Sequence, residues 1–232
     1  MNILGIGSIF SRGLGVTSLE EALRSGWRAP VQVEAAHADS GTRSAYVVDL
    51  DAVSDRTLLK KIRRADKLSK MCVLAAADAL ADSGIADLGN KRVGIILATA
   101  FGAHVTTFDF LDGILDYGDA NVSPTSFSNS VHNAAASYVS SSLNIQGPTL
   151  TVTQFRFSFQ SALQLGYIKG WQKNLVDYMY NTIARCNILF CNCCTHYINF
   201  RFNSYRTPGT INVSIILCSY TIKIEKIRSI YL

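Results

Sequence analysis

A layered α/β architecture, with helices against a largely parallel sheet, is what residues 1–178 predict, and three observations carry it. Strand-like and helix-like stretches alternate along the chain. Val93–Ala98 is a continuous apolar run of strand length, as expected of a strand covered on both faces. Leu68–Ser83 places Leu68, Met71, Cys72, Ala75, Ala76, Ala79 and Leu80 in steps of three and one, the stripe of a helix facing a core. The chain has 232 residues and is 48% hydrophobic, which is material enough for a sizeable core.

The elements follow in order. Asn2–Ile6 is a short apolar strand, and a Gly/Ser loop continues through Val16. Thr17 or Ser18 is placed to cap a helix opening Leu19-Glu20-Glu21, with its acids in the first turn, where the helix dipole favours them. Ala45–Leu50 reads as a strand. In Leu68–Ser83, Lys70, Asp78 and Asp82 lie off the apolar stripe and Gly84 is a natural stop. Cys72 lies on the stripe, so it reads as a small buried thiol rather than a nucleophile. After Val93–Ala98 come a helical stretch around Val105–Leu115, a loop marked by Ser123-Pro124, and a helix over Ser130–Leu143. The last of these is dense in Ala and Ser, which permits close packing. Gly147-Pro148 then turns the chain into a strand at Thr149–Thr153, and a final helix runs from Phe157 to Gly170.

The text of the chain changes near residue 178. The net charge is +5, yet residues 1–178 hold 16 basic and 16 acidic side chains while 179–232 hold 6 and 1. Ala, Gly and Pro number 40 before the seam and 3 after it. Cys72 is alone in the first part, whereas Cys186, Cys191, Cys193, Cys194 and Cys218 fall in the tail. Residues 179–232 are accordingly expected to be an unrelated or disordered tail derived from out-of-frame or noncoding DNA. A genuine A/T-rich exon or insertion is the alternative. Within it Ile211–Cys218 has the look of a short buried strand, and Tyr220–Ile230 alternates weakly. Cys191, Cys193, Cys194 and His196 crowd together without the second, distant ligand pair of a tetrahedral zinc site, so no metal is expected.

Several motifs invite chemistry. Gly5-Ile6-Gly7 opens like a dinucleotide loop, but Phe10 stands where a third glycine is required and no helix starts at once, so no cofactor is expected. Lys60, Lys61, Arg63, Arg64, Lys67 and Lys70 form a basic cluster. It reads as a solvated helix face or a docking surface for an acidic protein; nucleic acid is not expected, because no stacking aromatics accompany it. His104 and His132 are candidate acid/base residues, or else hydrogen-bonded structural groups. No Gly-x-Ser-x-Gly elbow is present. No run is long enough for a membrane span and no secretory signal stands at the N-terminus, so a cytoplasmic protein is expected.

Residues 1–178 resemble the N-terminal half of a β-ketoacyl synthase, of the thiolase-like fold. The resemblance rests on Gly5-Ile6-Gly7 with Gly13-Leu14-Gly15-Val16, on Leu19-Glu20-Glu21-Ala22-Leu23, and on Arg63-Arg64-Ala65-Asp66 before the Ala-rich helix. It continues through Val93-Gly94-Ile95 and Phe101-Gly102, and is strongest from Ser123 to Phe155. In active synthases the strand after the Gly-Pro turn leads to a bend carrying a cysteine at a helix N-terminus. There the thiol pKa is lowered and backbone amides stabilise an oxyanion. Counted from Gly147, that position is Arg156, which cannot accept an acyl group. Phe157 and Phe159 replace the small residues that usually follow, and with Phe155 are expected to fill the pocket; Ser158 is a weak substitute nucleophile.

The family's two catalytic histidines come from the C-terminal half, and His196 sits in none of their motifs. The resemblance therefore implies a noncatalytic subunit of fatty-acid or polyketide biosynthesis, truncated here and similar to the chain-length factors that pair with active ketosynthases. It implies an active ketosynthase as partner, or a homodimer of the full-length parent, and acyl carrier protein docking at Lys60, Arg63 and Arg64. A nonfunctional product of a disrupted gene is the alternative, followed by an active acyl-condensing enzyme.

Overall fold

The structure is a computed structural model, and it describes residues 2–34, 41–51, 56–85, 88, 93–171, 187–192 and 212–218. The chain runs β1 (Asn2–Phe10), β2 (Gly13–Leu14), α1 (Gly15–Ser25), β3 (Val31–Glu34), β4 (Thr42–Ala45), α2 (Arg56–Lys61) and α3 (Lys67–Asp82). It continues with β5 (Val93–Thr99), α4 (His104–Tyr117), α5 (Pro124–Ser130), α6 (Ala134–Ser142), β6 (Thr149–Thr153), α7 (Ser158–Trp171), β7 (Asn187–Asn192) and β8 (Asn212–Cys218). Six strands form one sheet in the order β2-β1-β8-β7-β5-β6, parallel except for the β1/β2 hairpin; β3 and β4 form a separate antiparallel pair.

Strand β5 shows why the layers form. All seven of its residues are buried. Val93, Ile95 and Leu97 join the core with Met71, Cys72, Ala75 and Ala76 of α3 and Ala135, Ala136 and Val139 of α6. Ile96 and Ala98 project to the other face, against Phe159 and Ala162 of α7. Alternation along one strand thus places α3 and α6 on one side and α7 on the other. Helix α3 lies almost on the backbone of β1: a Cβ at Gly5 would come within 2.2 Å of the Ala79 carbonyl oxygen, and one at Gly7 within 1.9 Å of that of Ala75. Asp66 caps α3 by accepting the Ser69 amide at 3.0 Å, and Gly84 follows its end with a positive φ of 67°.

The structure corrects several element boundaries. β1 runs on to Phe10 and turns through β2, so the expected Gly/Ser loop is a hairpin. α1 starts at Gly15, not at Leu19; neither Thr17 nor Ser18 caps it, and the Ser18 hydroxyl instead donates to the Leu14 carbonyl at 2.8 Å. Glu20 and Glu21 consequently fall beyond its first turn. The strand expected at Ala45–Leu50 does not form: residues 46–50 lie outside any strand, and β4, which precedes them, ends at Ala45 where its pairing with β3 ends. The helix expected over Ser130–Leu143 is α6, which begins only at Ala134 because Val131 is extended, while the expected loop at Ser123-Pro124 instead opens a separate helix, α5, capped by Ser123 with Pro124 at its first position.

The tail contributes β8, close to the strand expected at Ile211–Cys218, and also β7, for which the sequence offers only Ile188-Leu189-Phe190. Both lie between β1 and β5 and pair with them in parallel, so the middle of the sheet comes from beyond the composition seam. Tyr220–Ile230 lies outside the described residues, as does Cys193–His196; Cys191 lies within β7. Among the described residues no helix is long and apolar enough to cross a membrane, and no group of three or more His, Cys, Asp or Glu is placed to hold a metal ion.

Candidate functional site

In parallel sheets the carboxyl ends of the strands are where binding loops gather. Here β5 and β6 end side by side, with Thr99 in register with Thr153. The amide of Gln154 donates to the Thr99 carbonyl at 3.1 Å and the amide of Gly102 to the Thr99 hydroxyl at 2.9 Å, so one threonine anchors the loops leaving both strands. After β6 the chain bends through Gln154-Phe155-Arg156-Phe157 into α7. Phe157 adopts φ 61°, a conformation unfavourable for a bulky residue, and its carbonyl accepts the Ser161 amide at 2.9 Å. The strained residue of the bend is therefore Phe157, one position after Arg156.

Side chains at the bend divide sharply. Phe155 is 60% exposed and Phe157 69%, and Arg156 is exposed as well. Ser158 is buried as the first residue of α7, and Phe159 is 4% exposed within the core between β5 and α7. Of the three phenylalanines expected to fill a pocket, Phe159 fills core, while Phe155 and Phe157 stand on the surface of this chain.

The two sequence-flagged histidines come to one loop. His132 lies in the break between α5 and α6, not within a helix, and its ring covers Gly102: a Cβ there would be 1.9 Å from its Nδ1. The positive φ of 63° at Gly102 adds a second demand for glycine. His104 opens α4, and its Nδ1 lies 2.6 Å from the Phe101 carbonyl oxygen. A carbonyl only accepts, so this nitrogen carries a proton, and the residue as a whole is exposed. Phe101 joins loop and bend, with its ring edge-on to His104 at 5.7 Å and to Phe155 at 5.5 Å; Phe108 extends the row, 5.4 Å from His104. No spacing rule announces this row, because it depends on β5 and β6 being neighbours.

The basic segment borders the same region. Lys60, Arg63 and Arg64 are exposed. The Arg64 carbonyl accepts from the Asn129 side chain of α5 at 2.7 Å, and Asp66 accepts from the Thr106 hydroxyl of α4 at 3.1 Å. Tyr138 of α6 donates to Asn129 in turn, at 3.0 Å. Sequence reading gave the cluster but not these ties to α4 and α5.

The model of the β-ketoacyl synthase N-terminal domain matches residues 1–154. The chain belongs to the β-ketoacyl synthase family. The match to this synthase domain ends at Gln154, just short of Arg156. Among solved structures, a β-ketoacyl synthase from Burkholderia phymatum STM815 is similar with a TM-score of 0.55 and 22% identity, over 72% of this chain and 42% of that one. The ishigamide ketosynthase/chain length factor is similar with a TM-score of 0.53 and 20% identity, over 69% and 46%. A ketosynthase in complex with its chain length factor from Xenorhabdus doucetiae aligns with a TM-score of 0.49 and 15% identity, over 76% and 72%. A search of curated proteins gave no match. The first two likenesses show the thiolase-like ketosynthase fold, and the synthase-like chain spans less than half the length of either.

Proposed function

We propose that this ketosynthase-like chain is a noncatalytic, chain-length-factor-type subunit of fatty-acid or polyketide biosynthesis. The observation that carries the reading is the bend itself. Acyl transfer needs a nucleophile on the sharp turn before a helix, and the turn here is Phe155-Arg156-Phe157, with an exposed guanidinium and two exposed rings. Of the hydroxyls beside it, Ser158 is buried inside the first turn of α7, and that of Ser161 is committed to Gln154 Oε1 at 2.8 Å. The histidine-bearing surface is open, whereas condensation chemistry needs a site closed to water.

Two contacts follow from the same reading. Lys60, Arg63 and Arg64 offer exposed positive charge beside α4 and α5, suited to the acidic surface of an acyl carrier protein. An active ketosynthase subunit is the partner for the apolar side: Phe108, Leu111, Phe155 and Phe157 are all exposed there, and β6 ends the sheet. The parent would be roughly twice this length, given the 42% and 46% spans, and its homodimer is the alternative assembly. The test is incubation of the chain with an acyl-coenzyme A or acyl-carrier thioester, followed by intact-mass analysis. No acyl adduct is expected; an adduct mapping to Ser158 would instead support a condensing enzyme.

The composition change at residue 178 favours a second reading, the nonfunctional product of a disrupted gene. Sequencing the transcript across codons 170–185 separates the two. A restored Gly-rich strand and histidine motifs in another frame would establish disruption, and an unchanged frame would retain the tail as coding sequence.

A further inference from the structure

Helix α3 treats the outer edge of β1 as a neighbouring strand would. β2 covers that edge only at Ile9 and Phe10. Further back, the Ile6 amide donates to Asp82 Oδ2 at 2.8 Å and the Ser8 amide to Asp78 Oδ2 at 3.2 Å. The two repeats match: amides on one edge of a strand recur every second residue, about 6.6 Å, and positions four apart on a helix are about 6 Å apart. Gly5 and Gly7 bring the helix close enough for two short carboxylates to reach round the strand. Ser8 is fixed from its other end as well, its hydroxyl donating to the Gly15 carbonyl at 2.9 Å.

We infer that Asp78 and Asp82 form a clasp that closes the β1 edge to strand addition by another polypeptide. An unclasped edge exposes amides that template pairing with a second chain. The clasp occupies the Ile6 and Ser8 amides, which β2 does not reach. It also explains two acidic residues on the flank of a helix that is otherwise rich in alanine.

Amide hydrogen exchange read residue by residue on the full chain tests this, together with sedimentation velocity over a concentration series. Asp78→Ala with Asp82→Ala should speed exchange at Ile6 and Ser8 by roughly tenfold or more relative to Leu97, and should produce concentration-dependent association. Asp78→Asn with Asp82→Asn keeps a carbonyl acceptor at each position and should restore protection and sedimentation. If the double alanine variant fails to fold, Asp82→Ala alone is read at Ile6. Unchanged exchange at both amides overturns the clasp; faster exchange without association overturns its edge-closing role.

Discussion

The Ser161 hydroxyl donates to Oε1 of Gln154 at 2.8 Å, tying the first residue beyond β6 to the opening turn of α7. With the Gln154 amide already held by Thr99, this residue is fixed through both backbone and side chain. The bend that follows is therefore held from behind, and its strain collects at Phe157.

Substitutions at neighbouring phenylalanines should accordingly have opposite effects. Phe159→Ala empties a core position and should cost about 3–5 kcal/mol. Phe157→Gly removes an exposed ring from a left-handed conformation and should leave stability unchanged or raise it by up to about 1 kcal/mol. Chemical denaturation of both variants checks the contrast, and equal losses would refute it.

Reversing charge at Lys60, Arg63 and Arg64 should weaken acyl carrier protein binding by roughly tenfold at low salt, since exposed pairs contribute a few tenths of a kcal/mol to about 1 kcal/mol each. The salt dependence of binding should shrink in parallel. Titration calorimetry across an ionic-strength series reads both effects; binding that ignores the triple variant places the carrier elsewhere.

Asp78 should make the stability of the fold pH-dependent in an unusual direction. Burial raises its pKa above the ordinary value of 3.8; the Ser8 amide opposes the rise and the nearby Asp82 carboxylate adds to it. The folded state then holds this proton more firmly than the unfolded chain. Its contribution is fully present below 3.8 and is lost as pH rises through the raised value. Asp78→Asn cannot titrate, so its stability relative to the wild-type chain should climb over that window. Parallel stability-against-pH curves for the two proteins would exclude this.

Ending the chain at Tyr178 removes β7 and β8, leaving β1 paired only with the short β2 and β5 only with β6. The shortened protein should lose cooperative unfolding and become prone to association through its exposed edges. Thermal denaturation followed by circular dichroism distinguishes this from a self-sufficient first part, which would unfold as sharply as the whole.

The sequence was most legible where one physical signal dominated. The apolar stripe of α3, the unbroken apolar run of β5 and the turn before β6 each placed an element to within a residue or so. Helix α5 was illegible because Ser and Asn serve a loop as readily as a capped turn, and the break at Val131–Asn133 carries neither glycine nor proline. At the site, Arg156 and the basic segment were visible as residue types at counted positions. The row Phe101, His104, Phe108 and Phe155, and the seat of His132 over Gly102, arise only when distant segments meet.

Asn2 lies in register with Asn212, and the first strand of the sheet is paired along its inner side by the last. During synthesis, β1 must therefore wait with that side unsatisfied until β8 has emerged from the ribosome. Local units such as β5, β6 and the helices around them can assemble earlier. Loop closure over such a span makes completion of the sheet slow, and the waiting strand is the stretch that a chaperone would have most reason to shield.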